Sequence, residues 1–278
     1  MDFYPTRYSE LSNAEINELY RWDMWSGLSG EERVDALQEL ENRIAEELGN
    51  QPCEICSEEM SGARYGYYSN GQIKVNESLV SNGILHYEDG DGNMMEYVPE
   101  GVNAQMMDTI HHENFHAYQD DVINNRIEYD NQNEAILWRA NEEMYIASSD
   151  NEFLYRIQSQ ERTAFYRGES QTKAAFEVIE TKYGTDIGYQ EYRISVNENS
   201  FELALIIAKE TYGDENIQET LDNDMLAVYQ EYRMENHVSV EFINETDSVC
   251  DIGMADSMGM VESSDDEELS FESNGDTI

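Results

Sequence analysis

In the stretch Met107-Asp-Thr-Ile-His-His-Glu-Asn-Phe-His-Ala-Tyr-Gln119, two histidines stand four residues apart, with a glutamate directly after the first. His112 and His116 can reach a single point only if the backbone between them is helical, because positions i and i+4 then share a face with Cβ atoms about 5–6 Å apart. No proline or glycine interrupts residues 102–124, and Met107, Ile110, Phe115, Ala117, Tyr118 and Val122 supply apolar packing, so a helix is expected there. Two imidazoles on one face begin a zinc site and leave room for a third protein ligand and a water. Glu113 is offset around the helix, beside such a water rather than on the metal. It can take the water's proton once zinc has lowered the water's pKa towards about 7. A single Zn2+ ion per chain is the expected cofactor.

The third ligand must come from elsewhere. His111 lies off the shared face, and His86 and His237 sit in segments with no motif around them. Glu161 is the better candidate. It opens a helix expected over 158–183, and the small Ala164 one turn on allows a neighbouring helix to approach; a glutamate there completes a two-histidine, one-glutamate set. Glu134 and Glu169 are the alternatives, and the plainer reading of Glu161 is a first-turn carboxylate that stabilises the helix dipole. Tyr155, Tyr166 and Arg162 stand near Glu161 in sequence, and each is a candidate to stabilise negative charge on a carbonyl oxygen.

The run His112-Glu-x-x-His116 followed by Ala-Tyr-Gln119, with Tyr155-x-x-Gln158-x-x-Glu161-Arg-x-Ala-Phe165 downstream, resembles bacterial zincin-type metallopeptidase domains of the gluzincin kind. Some of these serve as effector domains in polymorphic toxin systems. Segments 37–45 and 66–76 resemble further parts of such proteins, so the likeness spans roughly residues 30–183. The resemblance implies that His112, His116 and Glu161 bind zinc, that Glu113 is the general base, and that the substrate is a peptide or protein. For a toxin it also implies a cognate immunity protein as partner. The interval from His116 to Glu161 is longer than in thermolysin-like enzymes. The competing reading is a catalytically inactive zincin-fold scaffold whose acidic surface engages a basic partner.

Elsewhere the texture predicts helices from Asn13 and over 31–48, strands from Cys53 to about Val80, and helices over 132–148, 200–211 and 216–234. Asn70-Gly71 between β-favouring runs signals a hairpin, and residues 86–100 read as a polar loop. The expected class is α+β: a mainly helical, zincin-like domain with a small antiparallel sheet. Three regions are expected: a helical segment over 1–50, the main domain over 51–244, and a disordered acidic tail over 245–278. Trp25-Ser-Gly27 resembles the WxG element of small type VII secretion substrates, though core packing by the tryptophan is the expectation.

Sixteen Lys and Arg against sixty Asp and Glu give a net charge of −44, which repels phosphate backbones and anionic lipid, so neither nucleic acid nor membrane is an expected partner. No apolar run approaches the roughly 20 residues needed to span a bilayer, and no signal sequence is evident, so the cytoplasm is the default expectation, with non-classical export left open. Cys53-Glu-Ile-Cys56 has no second pair to complete a four-cysteine site, which points to a structural role. Asp89-Gly-Asp91-Gly-Asn93 with Glu100 echoes a calcium loop, but Met94 stands where glycine is required; an acidic loop is expected there rather than a Ca2+ site.

Overall fold

The computed structural model describes residues 8, 11–60, 64–88, 92–99, 101–198 and 200–235. Ser12 and Ser29 open helices in the same way. Each accepts a hydrogen bond from the backbone N–H three residues on, and Glu15 or Glu32 reaches back to the serine N–H, closing a capping box. These caps start α1 (Asn13–Leu19) and α3 (Gly30–Leu48), with the short α2 (Trp22–Trp25) between them. Trp25 is buried and stacks on Tyr20 at 5.2 Å between centroids, so it is a core residue.

Strands β1 (Glu54–Glu58), β2 (Gly66–Ser69) and β3 (Gln72–Asn76) form one sheet in the order β1-β3-β2. Asn70 and Gly71 both adopt left-handed backbone, φ 50° and 76°, and so build the tight hairpin that their sequence predicts. The sheet is not the antiparallel one expected. β1 pairs with β3 in parallel, from Glu54 opposite Gln72 to Glu58 opposite Asn76, which makes the sheet mixed. Only the β2–β3 turn has a local signal; β1 is placed by packing of Cys53 and Ile55 into the same core as Ile73 and Val75. The short α4 (Glu77–Asn82) follows. Residues expected to form a loop instead hold a separate antiparallel ribbon, β4 (Leu85–Glu88) with β5 (Met94–Tyr97), anchored by the fully buried Leu85. Cys53 and Cys56 are free and three residues apart on extended chain, so they point to opposite faces and cannot act as a redox pair.

Helix α5 (Val102–Ile123) runs through the centre, touching α3, α6, α8, α9 and the sheet. Because it is enclosed on most sides it carries no simple apolar stripe; its buried polar residues are tied individually. Asn103 Nδ2 donates to the Tyr20 carbonyl at 2.7 Å, and Asn114 Nδ2 donates to Glu41 Oε1 at 2.9 Å. Helix α8 (Ser159–Tyr183) lies along α5 through a small-residue stripe of Ala164, Gly168 and Thr172. A Cβ at Gly168 would stand 2.2 Å from Asp108 Oδ1, so any larger residue has to displace the Asp108 carboxyl. The helix expected over 132–148 ends earlier, as α6 (Gln132–Glu143). A new helix, α7 (Glu152–Ile157), begins where the Asn151 side chain accepts from the N–H groups of Phe153 and Leu154. Helices α9 (Ile187–Glu198), α10 (Phe201–Tyr212) and α11 (Ile217–Glu235) follow. Ile157, Ala204, Ala208, Leu221 and Met225 make a second apolar cluster there. Among the described residues no helix is long and apolar enough to cross a membrane.

The chain divides into a compact unit, Met1–Val238, and a second stretch, Ser239–Ile278. Ile16, Leu37, Leu40 and Ile44 from the first fifty residues share one core with Ile73, Val75, Met107 and Ile110. The tail expected over 245–278 lies outside the described residues, as do His237 and the Asp89, Asp91 and Glu100 of the calcium-like pattern.

A buried polar staple joins α3, β1 and α5. Glu41 Oε1 accepts from the Cys53 N–H at 2.6 Å as well as from Asn114, while Gln38 bonds the Cys53 carbonyl and the Ile55 N–H. Burial pushes the Glu41 carboxyl up to about 8, against the pull of its hydrogen bonds from Cys53 and Asn114. The folded chain therefore holds a proton between pH 4.5 and about 8 that the unfolded chain has released, so this contribution to stability is lost as pH rises through that window. Urea unfolding at pH 5, 6.5 and 8 is expected to show stability falling by on the order of 1 kcal/mol per pH unit from this group. Glu41→Gln should flatten the slope; an unchanged slope would mean Glu41 titrates normally.

Candidate metal centre

The helix that the His112–His116 spacing requires is present. Both rings project from the same face of α5, with Nε2 atoms 3.0 Å apart. Glu161 arrives from α8, its Oε2 at 3.3 Å from His112 Nε2 and its Oε1 at 3.5 Å from His116 Nε2. It stands on the same stripe that packs α8 against α5, one turn before Ala164, and is only 2% exposed. The start of α8 is fixed by α6: Asn141 Oδ1 accepts from the Gln160 N–H at 2.9 Å. Asn141 Nδ2 in turn donates to Gln158 Oε1 at 2.8 Å. Glu161 is thereby set in the first turn of a helix whose register is held from outside.

These three residues could hold a metal ion: one ligand atom from each lies within 4.8 Å of the other two. Two ligand atoms on one tetrahedral zinc, each about 2.0–2.1 Å from it, are about 3.3 Å apart; the two imidazole Nε2 atoms here are 3.0 Å apart, and each lies 3.3 or 3.5 Å from a different oxygen of Glu161. Glu161 Oε2 is buried and has no hydrogen-bond donor in bonding geometry, a cost that a cation at this point removes. His116 Nδ1 lies 2.8 Å from Gln119 Oε1, an acceptor, so Nδ1 carries a hydrogen and Nε2 is the nitrogen turned toward Glu161 and His112. Gln119 is itself held, donating to the Gln160 carbonyl at 3.0 Å and to Thr163 Oγ1 at 2.8 Å. Gln119→Leu is expected to weaken zinc binding by about 10–100-fold without unfolding the chain, measured by competition with a chromogenic chelator. Wild-type affinity in that variant would deny Gln119 its orienting role.

Electrostatics agree with the donor set. Burial opposes charge on His116, but the Glu161 carboxylate, Glu113 and Gln119 outweigh it and raise the ring to about 9. Burial alone would raise Glu161; the adjacent His116 and His112 rings hold it well below the usual carboxylate range instead. The cluster is thus built to surround positive charge.

Glu113 stands clear of the three. Its Oε2 accepts a hydrogen bond at 2.8 Å from the backbone N–H of Tyr68, on edge strand β2. It opens with His112 and His116 into a cleft of about 750 Å3 whose walls include Tyr65, Tyr145, Tyr155 and Phe165. No family model matches the sequence, and neither a curated protein nor a solved structure matches it.

Among the other sequence candidates, His111 is on the opposite side of α5, lining a groove with Leu40, Ile44 and Val178; burial and Arg167 lower its ring to about 3. Glu134 bonds Tyr129 at the start of α6 and does not join the cluster. Glu169, two turns beyond Glu161, is pushed up to about 7 by burial and by Glu202 and does not join it either. Tyr155 lines the cleft. Tyr166 is 76% exposed, and Arg162 is committed to Asp222 at 2.7 and 3.0 Å, which removes both from the site. Tyr145 was not expected. It follows the end of α6 and donates to Glu161 Oε1 at 2.7 Å, yet it is one of nineteen tyrosines and carries no motif. Gln119 was visible only as part of Ala-Tyr-Gln.

Proposed function

We propose that this chain is a zinc-dependent peptidase with a zincin-like site. His112, His116 and Glu161 hold the ion, and Glu113 is the general base. The observation that carries the reading is the position of Glu113: next to the ligand set but not in it, fastened to Tyr68 and open to the cleft. When bound, zinc would supply Lewis-acid activation of water and of the substrate carbonyl. Glu113 then accepts a proton on the carboxylate oxygen that Tyr68 leaves free and can return it to the leaving amine. Tyr155, whose hydroxyl stays protonated because burial and Glu161 push it far up, lines the cleft beside Glu161 and would donate to oxygen that gains charge. Tyr145 instead orients Glu161. A peptide is the substrate that suits the shape: β2 is an edge strand beside the catalytic helix, and extended chain can pair with such an edge.

The test combines metal analysis with digestion of a random peptide library. Purified chain loaded with a single zinc should cleave library members, lose activity to a chelator and regain it with zinc. Zinc-loaded protein that cleaves nothing would end the peptidase reading and leave a metal-binding scaffold.

A further inference from the structure

Asp108 precedes His112 by one helical turn on α5 and lines the same cleft. One of its oxygens, Oδ1, is buried against α8 at Gly168 with no hydrogen-bond partner. Glu169 and Tyr192 from α8 and α9, Tyr65 ahead of β2, Arg156 from α7, and Glu113 on α5 itself are the titratable groups that face it. Arg156 is engaged elsewhere: it bonds Glu152 at 2.7 Å and lies 4.7 Å over the Phe165 ring. Phe165 in turn packs on the His112 ring at 4.5 Å. Aromatic walls thus run from the metal centre to a carboxylate that Tyr192 and the field of Arg156 support only in part, and whose Oδ1 is left without a donor. Burial, then Glu169, push Asp108 well above the usual carboxylate range, the expected state of an acid crowded by acids.

We propose that Asp108 ends a side pocket of this cleft that takes the cationic side chain of a lysine or arginine flanking the cleaved bond, making basic peptides the preferred substrate class. This rests on the peptidase reading above. One turn of helix separates Asp108 from His112, about 6 Å of rise, and the stem of a lysine or arginine spans a similar length. Its methylenes would pack on Phe165 and Tyr65 while the charged head meets Asp108, whose carboxyl gives up its proton as the cation arrives. An acidic side chain would meet Asp108, Glu113, Glu152 and Glu161 against only Arg64 and Arg156 along the cleft, in a chain of net charge −44.

Two measurements on the zinc-loaded chain test this, with zinc content as the control for folding. The first is calorimetric binding of N-acetyl-argininamide and N-acetyl-lysinamide against N-acetyl-norleucinamide and the matching glutamate amide. The cationic ligands should bind at least about tenfold tighter than norleucine, and Asp108→Asn should erase that difference. The second is library cleavage, where the basic-to-norleucine ratio should fall by about tenfold in Asp108→Asn. A merely structural Asp108 would lower cleavage of all peptides alike and leave the ratio unchanged, which would overturn the proposal. Tightest binding of the glutamate amide would also overturn it and point to Arg156. Cationic ligands that bind through Asp108 to a chain that cleaves nothing would uphold the pocket while ending the peptidase reading. Cleavage indifferent to basic residues would do the reverse.

Discussion

Glu113→Gln is expected to lower kcat on any cleaved peptide by about 100- to 10,000-fold while leaving zinc content unchanged. The substitution is nearly isosteric, and the glutamine oxygen can still accept the Tyr68 N–H that holds Glu113 Oε2 at 2.8 Å. What it removes is the ability to take up a proton. Because Glu113 is not among the three clustered ligands, the ion should bind as before and KM should change little. Steady-state kinetics beside elemental analysis separates the two roles. Loss of zinc in this variant would place Glu113 in the ligand set; full activity would remove it from the chemistry.

His112→Ala, His116→Ala and Glu161→Ala are each expected to weaken zinc binding by well over the roughly 10–100-fold that an orienting residue costs. Wild-type chain should gain about 2.7 kcal/mol of apparent stability at free zinc 100 times its dissociation constant, and the three variants should gain none in the same titration. They should differ when free of metal. Glu161→Ala lets His116 return to a neutral ring, whereas His116→Ala strips the buried Glu161 carboxylate of its main cation and should be the less stable of the two. Since His116 titrates near 9, zinc entering at neutral pH must displace its proton, so affinity should fall as pH is lowered. A zinc-dependent stability gain that survives in Glu161→Ala would show that the ligand comes from somewhere else.

Helix α5 was legible because its evidence is local: two histidines and a glutamate whose spacing has meaning only on a helix. Glu161 was legible as a helix-opening glutamate near a small residue, but nothing in its neighbourhood separated it from Glu134 or Glu169; the packing of α8 on α5 makes that choice. The partner of Glu113 is a backbone N–H, which no side chain announces. Tyr145 was hidden by the abundance of its own residue type. The sheet was half legible, since the β2–β3 turn has a signature whereas the parallel pairing of β1 is set by burial between distant segments.

Glu161, the third member of the cluster, rides on a helix–helix seam rather than on a loop. During synthesis His112 and His116 emerge about 50 residues before Glu161, and even a completed chain has only two of the three residues that could hold a metal together until α8 seats its small-residue stripe against α5. Metal capture by all three residues would thereby wait on tertiary packing and not on helix formation alone. A nascent or misassembled chain carries the motif but not the completed cluster of His112, His116 and Glu161.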